Sequence, residues 1–387
     1  MIIHFDVVIV GGGHGGTQTA ASLRNLGFAG SIAIVTDETD LPYERPPLSK
    51  DYLSGRKELP QLYLRPERFW EENNISILTA NRVEHVDPGR QQILTSSGAV
   101  IEYNHLVWSA GGNARKLMCG GCDLDGIHAI RNRLDVDSLK RELLSSQNIA
   151  IIGAGYIGLE TAAVLTNLDK RVTVIEAQDR VLPRTAGRIV SNFLETEHRS
   201  HNVDIHLKTV VEHIEGKDGR VESLSLSGGK ELAVDVAIVG IGIIPNVEPL
   251  LIAGALGDGG ITVDQTCRTS ISNIFAVGDC AVQQSRFANG ELIRLESVQN
   301  AKDMAMIVAK SICGHMIPSR TAPRFWSTQY DIRLQSIGLN IGADEEIYAG
   351  SFADRSFSVS YAKGGDIIAV DCINDTKAFA EAQQFFR

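Results

Sequence analysis

The sequence predicts an α/β protein with two Rossmann-type, three-layer ββα nucleotide-binding domains and a C-terminal α+β domain. Three observations carry that prediction. A β run, a glycine-rich turn, a helix and a second β run occur in that order twice, at 5–37 and again at 148–176, and each set is a βαβ unit. The chain has 387 residues, 43% of them hydrophobic, enough for more than one core when domains usually hold roughly 100–200 residues. Alternating apolar and polar runs follow the second unit, and short strands return near the end of the chain.

In order along the chain, Phe5 to Val10 is a buried β run, Gly11 to Gly16 a turn, Thr17 to Leu26 a helix and Ser31 to Val35 a second strand ending at Thr36-Asp37. Tyr103 to Ser109 reads as a strand closing on Gly111-Gly112, and Arg131 to Ser145 as a helix leading into the second copy. That copy runs Asn148 to Ile152, Gly153 to Gly158, a helix through Leu168 and the strand Arg171 to Glu176. Runs at 203–214, 219–226 and 232–239 suggest a β-meander, after which Val239 to Asn246 leaves the second domain. Residues 260–280 and a helix from about Ser297 to Ile312 read as a return to the first domain. The expected boundaries are 1–112 with 246–320, then 113–245, then 321–387, a module with a final amphipathic helix.

Composition narrows the function. The formal net charge is −10, and phosphate-backbone binding draws on clustered Lys and Arg, so no nucleic-acid partner is expected. The longest nearly apolar run, Val236 to Pro245, is about half of the roughly 20 residues that a membrane helix needs. The first strand begins close to Met1, so no secretory signal is expected. Six sparse cysteines fit reduced thiols, so the cytoplasm is the expected compartment.

Both turns read G-x-G-x-x-G, a pattern that is weak alone and stronger when it lies twice between a strand and a helix. Gly11 and Gly153 permit the tight turn, Gly13 and Gly155 let the backbone approach a pyrophosphate, and Gly16 and Gly158 allow close helix–strand packing. The pyrophosphate then faces helix N-terminal amides. An acid ends the second strand of each unit, Asp37 and Glu176, where a ribose hydroxyl pair needs an acceptor; the alternative is two solvated strand ends. A carboxylate near a 2′-phosphate costs about 1–4 kcal/mol per charge pair, so Glu176 favours NADH over NADPH. Arg180 and Arg184 are close enough in sequence to offset part of that preference.

The glycines do not decide which copy takes which nucleotide. Thr269 to Asp279 resembles the second FAD signature of the glutathione-reductase-type flavoproteins, Leu106 to Gly112 their middle glycine motif, and Asp235 to Asn246 their strand leaving the nucleotide domain. That resemblance implies FAD, bound non-covalently, on the first copy and NADH on the second. Leu41-Pro-Tyr-Glu-Arg-Pro-Pro-Leu-Ser-Lys50, read with Arg131, Arg294 to Ala301 and Phe325 to Tyr330, resembles the ferredoxin reductases of bacterial oxygenase systems. This is the group of putidaredoxin reductase, rubredoxin reductase and the biphenyl dioxygenase reductase, and the resemblance runs over nearly the whole chain.

The resemblance implies that Arg45, Lys50, Arg131 and Asp279 hold FAD, with Asp37 at its ribose and Glu296, Ser297, Val298 and Trp326 beside the flavin. Glu160, Glu176, Arg184 and Gly242 would serve NADH, with Lys50, Glu160 and Trp326 nearest the chemistry. Glu160 is placed to pair with Lys50 and orient the nicotinamide amide. Solvated loop charge for Lys50, core packing for Trp326 and a helix-face acid for Glu160 are the plainer alternatives. No metal site is expected.

The implied reaction passes electrons from NADH through FAD singly to a [2Fe-2S] ferredoxin that feeds an oxygenase or cytochrome P450. Protein groups then supply position and electrostatics, which fits the lack of a nucleophile or acid–base dyad. Arg65, Arg68, Arg294, Lys302 and Arg333 are candidate docking cations for the transient ferredoxin; monomer and homodimer are both open. Disulfide reductases and peroxidases of this fold place reactive cysteines against the flavin, yet no cysteine follows Asp37 closely, and Cys119-Gly-Gly-Cys122 reads as an incidental loop pair, with a redox or metal role as the alternative. The rivals are an NADH oxidase or peroxidase, and an NADH-binding flavoprotein like apoptosis-inducing factor.

Overall fold

A computed structural model describes residues 2–386 as two compact units. The first comprises the segments up to Glu44, Leu59–Asn113 and Ile244–Phe325; the second comprises Arg45–Glu58, Ala114–Ile243 and the chain from Trp326 on.

The first unit is built on the strand Ile2–Val10, whose last four residues are buried on both faces, as the centre of a parallel sheet requires. It pairs in parallel with Ile32–Val35 on one side and Val100–Trp108 on the other. Ile75–Leu78 extends the sheet beyond the former, and Ile274–Ala276 joins the latter. Val10 lies opposite both Val35 and Trp108, and Trp108 opposite Ala276. Four parallel strands therefore end near one level, the side on which open α/β sheets bind ligands. The helix His14–Asn25 follows the first strand, beginning at the glycine turn rather than at Thr17. Its first turn, His-Gly-Gly, has no apolar periodicity to announce it.

The second unit carries a five-stranded sheet in the order Asp204–His206, Arg171–Ile175, Asn148–Ile152, Val236–Val239 and Ile127–His128, all parallel. This corrects the meander expected over 203–239. Only Val211–Lys217, Arg220–Leu226 and Lys230–Ala233 form it, whereas 204–206 and 236–239 join the parallel sheet. Val236–Val239 is buried at every residue, so it suits a two-sided interior and not a meander with one wet face. The helix Arg133–Leu143 starts on a capping box, Asn132 accepting from the Asp135 N–H while Asp135 reaches back.

From Arg324 on, strands in the order Arg324–Gln329, Ile332–Gly338, Asp366–Ile373, Ser356–Lys363 and Glu345–Ser351 form a sheet, followed by the helix Thr376–Phe385. Among the described residues no helix is long and apolar enough to cross a membrane.

Candidate functional site

The glycine turn of the first unit is shaped by what side chains would strike. Gly11 has φ +103°, and a Cβ there would lie 2.4 Å from the Ser109 carbonyl oxygen; at Gly16 it would lie 2.0 Å from the Gly11 carbonyl oxygen. At Gly13 a Cβ would meet nothing within 4 Å. The loop is thus packed at its first and third glycines and open at its second, the one position where a bound group would approach the backbone. The Ser109 hydroxyl pins the turn, its oxygen lying 2.8 and 2.9 Å from the Val10 and Gly11 carbonyl oxygens that share its single proton.

The second unit repeats the arrangement. Gly153 has φ +106° and a Cβ there would lie 2.4 Å from the Gly240 carbonyl oxygen, Gly158 would meet the Gly153 carbonyl oxygen at 2.1 Å, and Gly155 is open. The helices His14–Asn25 and Tyr156–Asn167 are N-capped by Gly13 and Gly155, with no side-chain cap and no acid in the first turn. By contrast, Asn132, Ser297 and Asp375 cap their helices with side chains. A helix start without a protein cap leaves amide donors for an anion, so both cradles fit a nucleotide pyrophosphate.

Glu176 follows the strand Arg171–Ile175 and is 9% exposed. Its carboxylate accepts from the Ala154 N–H inside the glycine turn at 2.8 Å and from the Gln178 N–H at 2.9 Å, which fixes the acid at the cradle. Asp37, one residue farther from its strand, is exposed. Gly242, at φ +98° with open space around it, follows the strand Val236–Val239. Arg184 is exposed, two residues past Leu182, whose N–H donates to the Ala154 carbonyl of the cradle at 3.0 Å. Arg180 is committed elsewhere, donating to the Ala186 and Pro183 carbonyls and the Ser191 hydroxyl at 2.6–2.8 Å. The expectation that Arg180 could offset Glu176 is therefore corrected, because its guanidinium is held by its own loop.

The segment Arg45–Glu58 folds with the second unit. The Tyr52 hydroxyl donates to Asp137 at 2.6 Å and Lys140 sits 4.7 Å over the Tyr52 ring, while an Arg45 guanidinium nitrogen lies 3.4 Å from the Arg131 carbonyl. This brings Lys50 Nζ within 2.5 Å of a Glu160 carboxylate oxygen. Glu160, 4% exposed, also accepts from the Ser49 hydroxyl on Oε2 and the Ser327 hydroxyl on Oε1, each at 2.7 Å. Lys50 is not a solvated loop charge, nor Glu160 a solvated helix-face acid. Trp326 is 45% exposed, so core packing does not explain it.

Ser49, Ser327 and Gln329 escaped the sequence reading. Ser327 and Gln329 are almost fully buried while Trp326 and Thr328 face out. Two polar residues on the inward face of a strand were the available signal.

In the first unit, Asp279 lies in the short helix Gly278–Cys280 just past the strand Ile274–Ala276, and its carbonyl accepts from Arg294 at 3.0 Å. Ser297 caps the helix Val298–Ile312 by accepting from the Asn300 N–H at 3.0 Å. Glu296 pairs with Arg294 at 2.7 Å, so the Arg294 charge is partly offset by its neighbour. Arg65 donates to the Leu64 carbonyl at 2.9 Å and is half-buried. Arg68, Lys302 and Arg333 are exposed.

Burial pushes the Cys267 and Cys280 thiols up to about 11 and 12. Burial, then the neighbouring Cys122, raises Cys119 as well. A thiolate, the reactive form, is disfavoured at all three.

A family model described as pyridine nucleotide-disulphide oxidoreductase matches residues 5–305, and one described as reductase C-terminal matches 324–387. A ferredoxin–NAD(P)+ reductase of Sphingomonas sp. is 49% identical over 98% of this chain and 92% of its own length. A 5,5′-dehydrodivanillate O-demethylase ferredoxin reductase subunit of Sphingobium sp. is 47% identical, with the same coverage. Among solved structures, a covalent putidaredoxin reductase–putidaredoxin complex matches with TM-score 0.95 and 37% identity over 98% of this chain and 92% of that one.

Proposed function

The chain belongs to the pyridine nucleotide-disulphide oxidoreductase family and is a ferredoxin reductase within it; from that premise we propose that it passes electrons from NADH through FAD to a [2Fe-2S] ferredoxin serving an oxygenase or P450. The observation that carries the reading is the pair of matching glycine cradles, one on each unit, packed at the first and third glycines and open at the second. FAD, when bound, accepts two electrons from the nicotinamide and releases them singly, which is the chemistry the protein itself lacks.

The protein's part is to hold and orient. The Gly11–Gly16 turn takes the FAD pyrophosphate, with Asp37, Arg45, Arg131, Asp279 and the Glu296–Val298 segment as further FAD contacts. The Gly153–Gly158 turn takes the NADH pyrophosphate, and Glu176 accepts from the adenosine ribose. With Arg180 committed to its loop, Arg184 alone of the two cations is left to favour a 2′-phosphate, so NADH is preferred over NADPH. Lys50 and Glu160 orient the nicotinamide amide and Trp326 lies at the flavin. The domain boundaries 1–112 with 246–320, 113–245 and 321–387 belong to this reading, as does a cytoplasmic location.

The raised, buried thiols argue against the peroxidase alternative. The test is anaerobic titration of the yellow protein with NADH and separately with NADPH, followed by mixing with a [2Fe-2S] ferredoxin and cytochrome c. Bleaching by NADH, with cytochrome c reduction that requires ferredoxin, is expected. Bleaching reversed only by oxygen or peroxide would replace the reading with an oxidase.

A further inference from the structure

Glu160 is the end of a buried polar series, and its neighbours have only one way to donate. An ionised carboxylate only accepts, so the Ser327 hydroxyl 2.7 Å away gives it its single proton. Ser327 is then an acceptor for the Gln329 amide nitrogen at 3.1 Å. That orients the Gln329 side chain, and its oxygen faces His198 Nε2 at 2.9 Å. Nε2 must therefore carry a proton. His198 is fully buried, which pushes its pKa down to about 4; the imidazole is neutral, and Nδ1 accepts from the Tyr330 hydroxyl at 3.2 Å. The Tyr330 ring stacks on His201 with centroids 3.7 Å apart, closing the series. On the other side of the carboxylate stand Lys50 and Ser49.

We propose that Ser327, Gln329 and His198 are positioning residues for NADH oxidation: they hold the Glu160 carboxylate in one orientation, facing Lys50, and act through it without touching substrate. Ser327, Gln329 and His198 are at most 2% exposed, and such positions are ordinarily apolar. Buried polar groups are costly unless each is satisfied. Here every member has a partner, and the series ends two residues past Gly158, beside the nucleotide cradle. The inference rests on the reading of Lys50 and Glu160 as the nicotinamide-orienting pair.

The test is stopped-flow reduction of the bound flavin by NADH, under anaerobic conditions, in the FAD-loaded protein. Ser327→Ala and Gln329→Glu are compared with the parent. The second variant is nearly isosteric, but its carboxylate draws the Ser327 proton away from Glu160. Each is expected to lower the reduction rate constant at saturating NADH about tenfold, the scale of one oriented hydrogen bond, with the NADH dissociation constant within about twofold of the parent's. Ser327→Thr, which keeps the hydroxyl, is expected to restore most of the rate. Unchanged rate constants in both variants, a loss that appears only as weaker NADH binding, or a failure of Ser327→Thr to rescue overturns the proposal. A parent flavin that NADH does not bleach overturns instead the reading on which it rests.

Discussion

Gly155 and Gly158 sit three residues apart in one turn, yet a methyl group would mean different things at each. At Gly155 it meets nothing within 4 Å, and Gly155 has φ −77°, a conformation any residue adopts. At Gly158 it would lie 2.1 Å from the Gly153 carbonyl oxygen. Gly155→Ala is therefore expected to keep its thermal midpoint within about 2 °C of the parent and to weaken NADH binding at least tenfold, the methyl occupying space meant for the ligand. Gly158→Ala is expected to lower the midpoint or the yield of folded protein, because helix and strand must separate. Thermal melts and NADH titrations of the two variants separate the roles, and equal behaviour in both assays would contradict the assignment.

At the scale of elements, the C-terminal sheet is tied to the helix Arg188–Ser200 by groups that neither element could satisfy alone. Gly187 caps that helix without a side chain, and the Glu346 carboxylate accepts instead from the Arg188 and Ile189 N–H groups at 2.9 and 3.1 Å. The Tyr361 hydroxyl accepts from the Gly187 N–H at 2.9 Å and donates to Asp371 at 2.6 Å. Asp371 is 3% exposed, and burial pushes its pKa up to about 6 despite the Tyr361 hydrogen bond. A carboxyl whose folded pKa is raised stabilises the fold while protonated, and that contribution fades as pH rises from about 4 through 6. The charged form then costs on the order of 3 kcal/mol at neutral pH. Asp371→Asn carries no charge to bury, so its thermal midpoint relative to the parent is expected to climb between pH 4 and 7 and to level off outside that window. A midpoint difference independent of pH would show that Asp371 is not titrating in the fold.

For the whole molecule, the net charge of −10 repels an acidic protein at long range, so any acidic ferredoxin must be met by local cations. Of the five expected, Arg294 is paired with Glu296 and Arg65 is held by its own loop, leaving Arg68, Lys302 and Arg333 exposed. Rim charges govern on-rate and salt dependence more than the chemistry behind them. Ferredoxin-dependent cytochrome c reduction is expected to slow several-fold between low and high ionic strength. Arg68→Glu or Lys302→Glu should slow it further at low salt, while leaving flavin reduction by NADH unaffected. Salt-independent transfer, or equal effects on both half-reactions, would remove these cations from the docking surface.

The two βαβ units, their glycine turns and the acid Glu176 at the second turn were legible in the sequence because each depends on local requirements. A buried strand needs β-branched residues, a turn at φ above +100° needs glycine, and a helix start that receives phosphate needs bare amides. The rest was decided by tertiary structure, because it depends on which distant side chains meet. Nothing around Arg180 in the sequence says that its guanidinium is committed to the Pro183 and Ala186 carbonyls and the Ser191 hydroxyl. Nothing local sends 204–206 to the parallel sheet, or folds Arg45–Glu58 with the second unit although the chain around it belongs to the first, whereas the unbroken apolar run Val236–Val239 carries its own signal of a buried strand, against the meander expected there. The pairing of Lys50 with Glu160 was anticipated through resemblance alone. The Ser327–Gln329–His198 series behind Glu160 exists only because a C-terminal strand and a helix from the middle of the chain bury their few polar groups against one another, where each must find its partner.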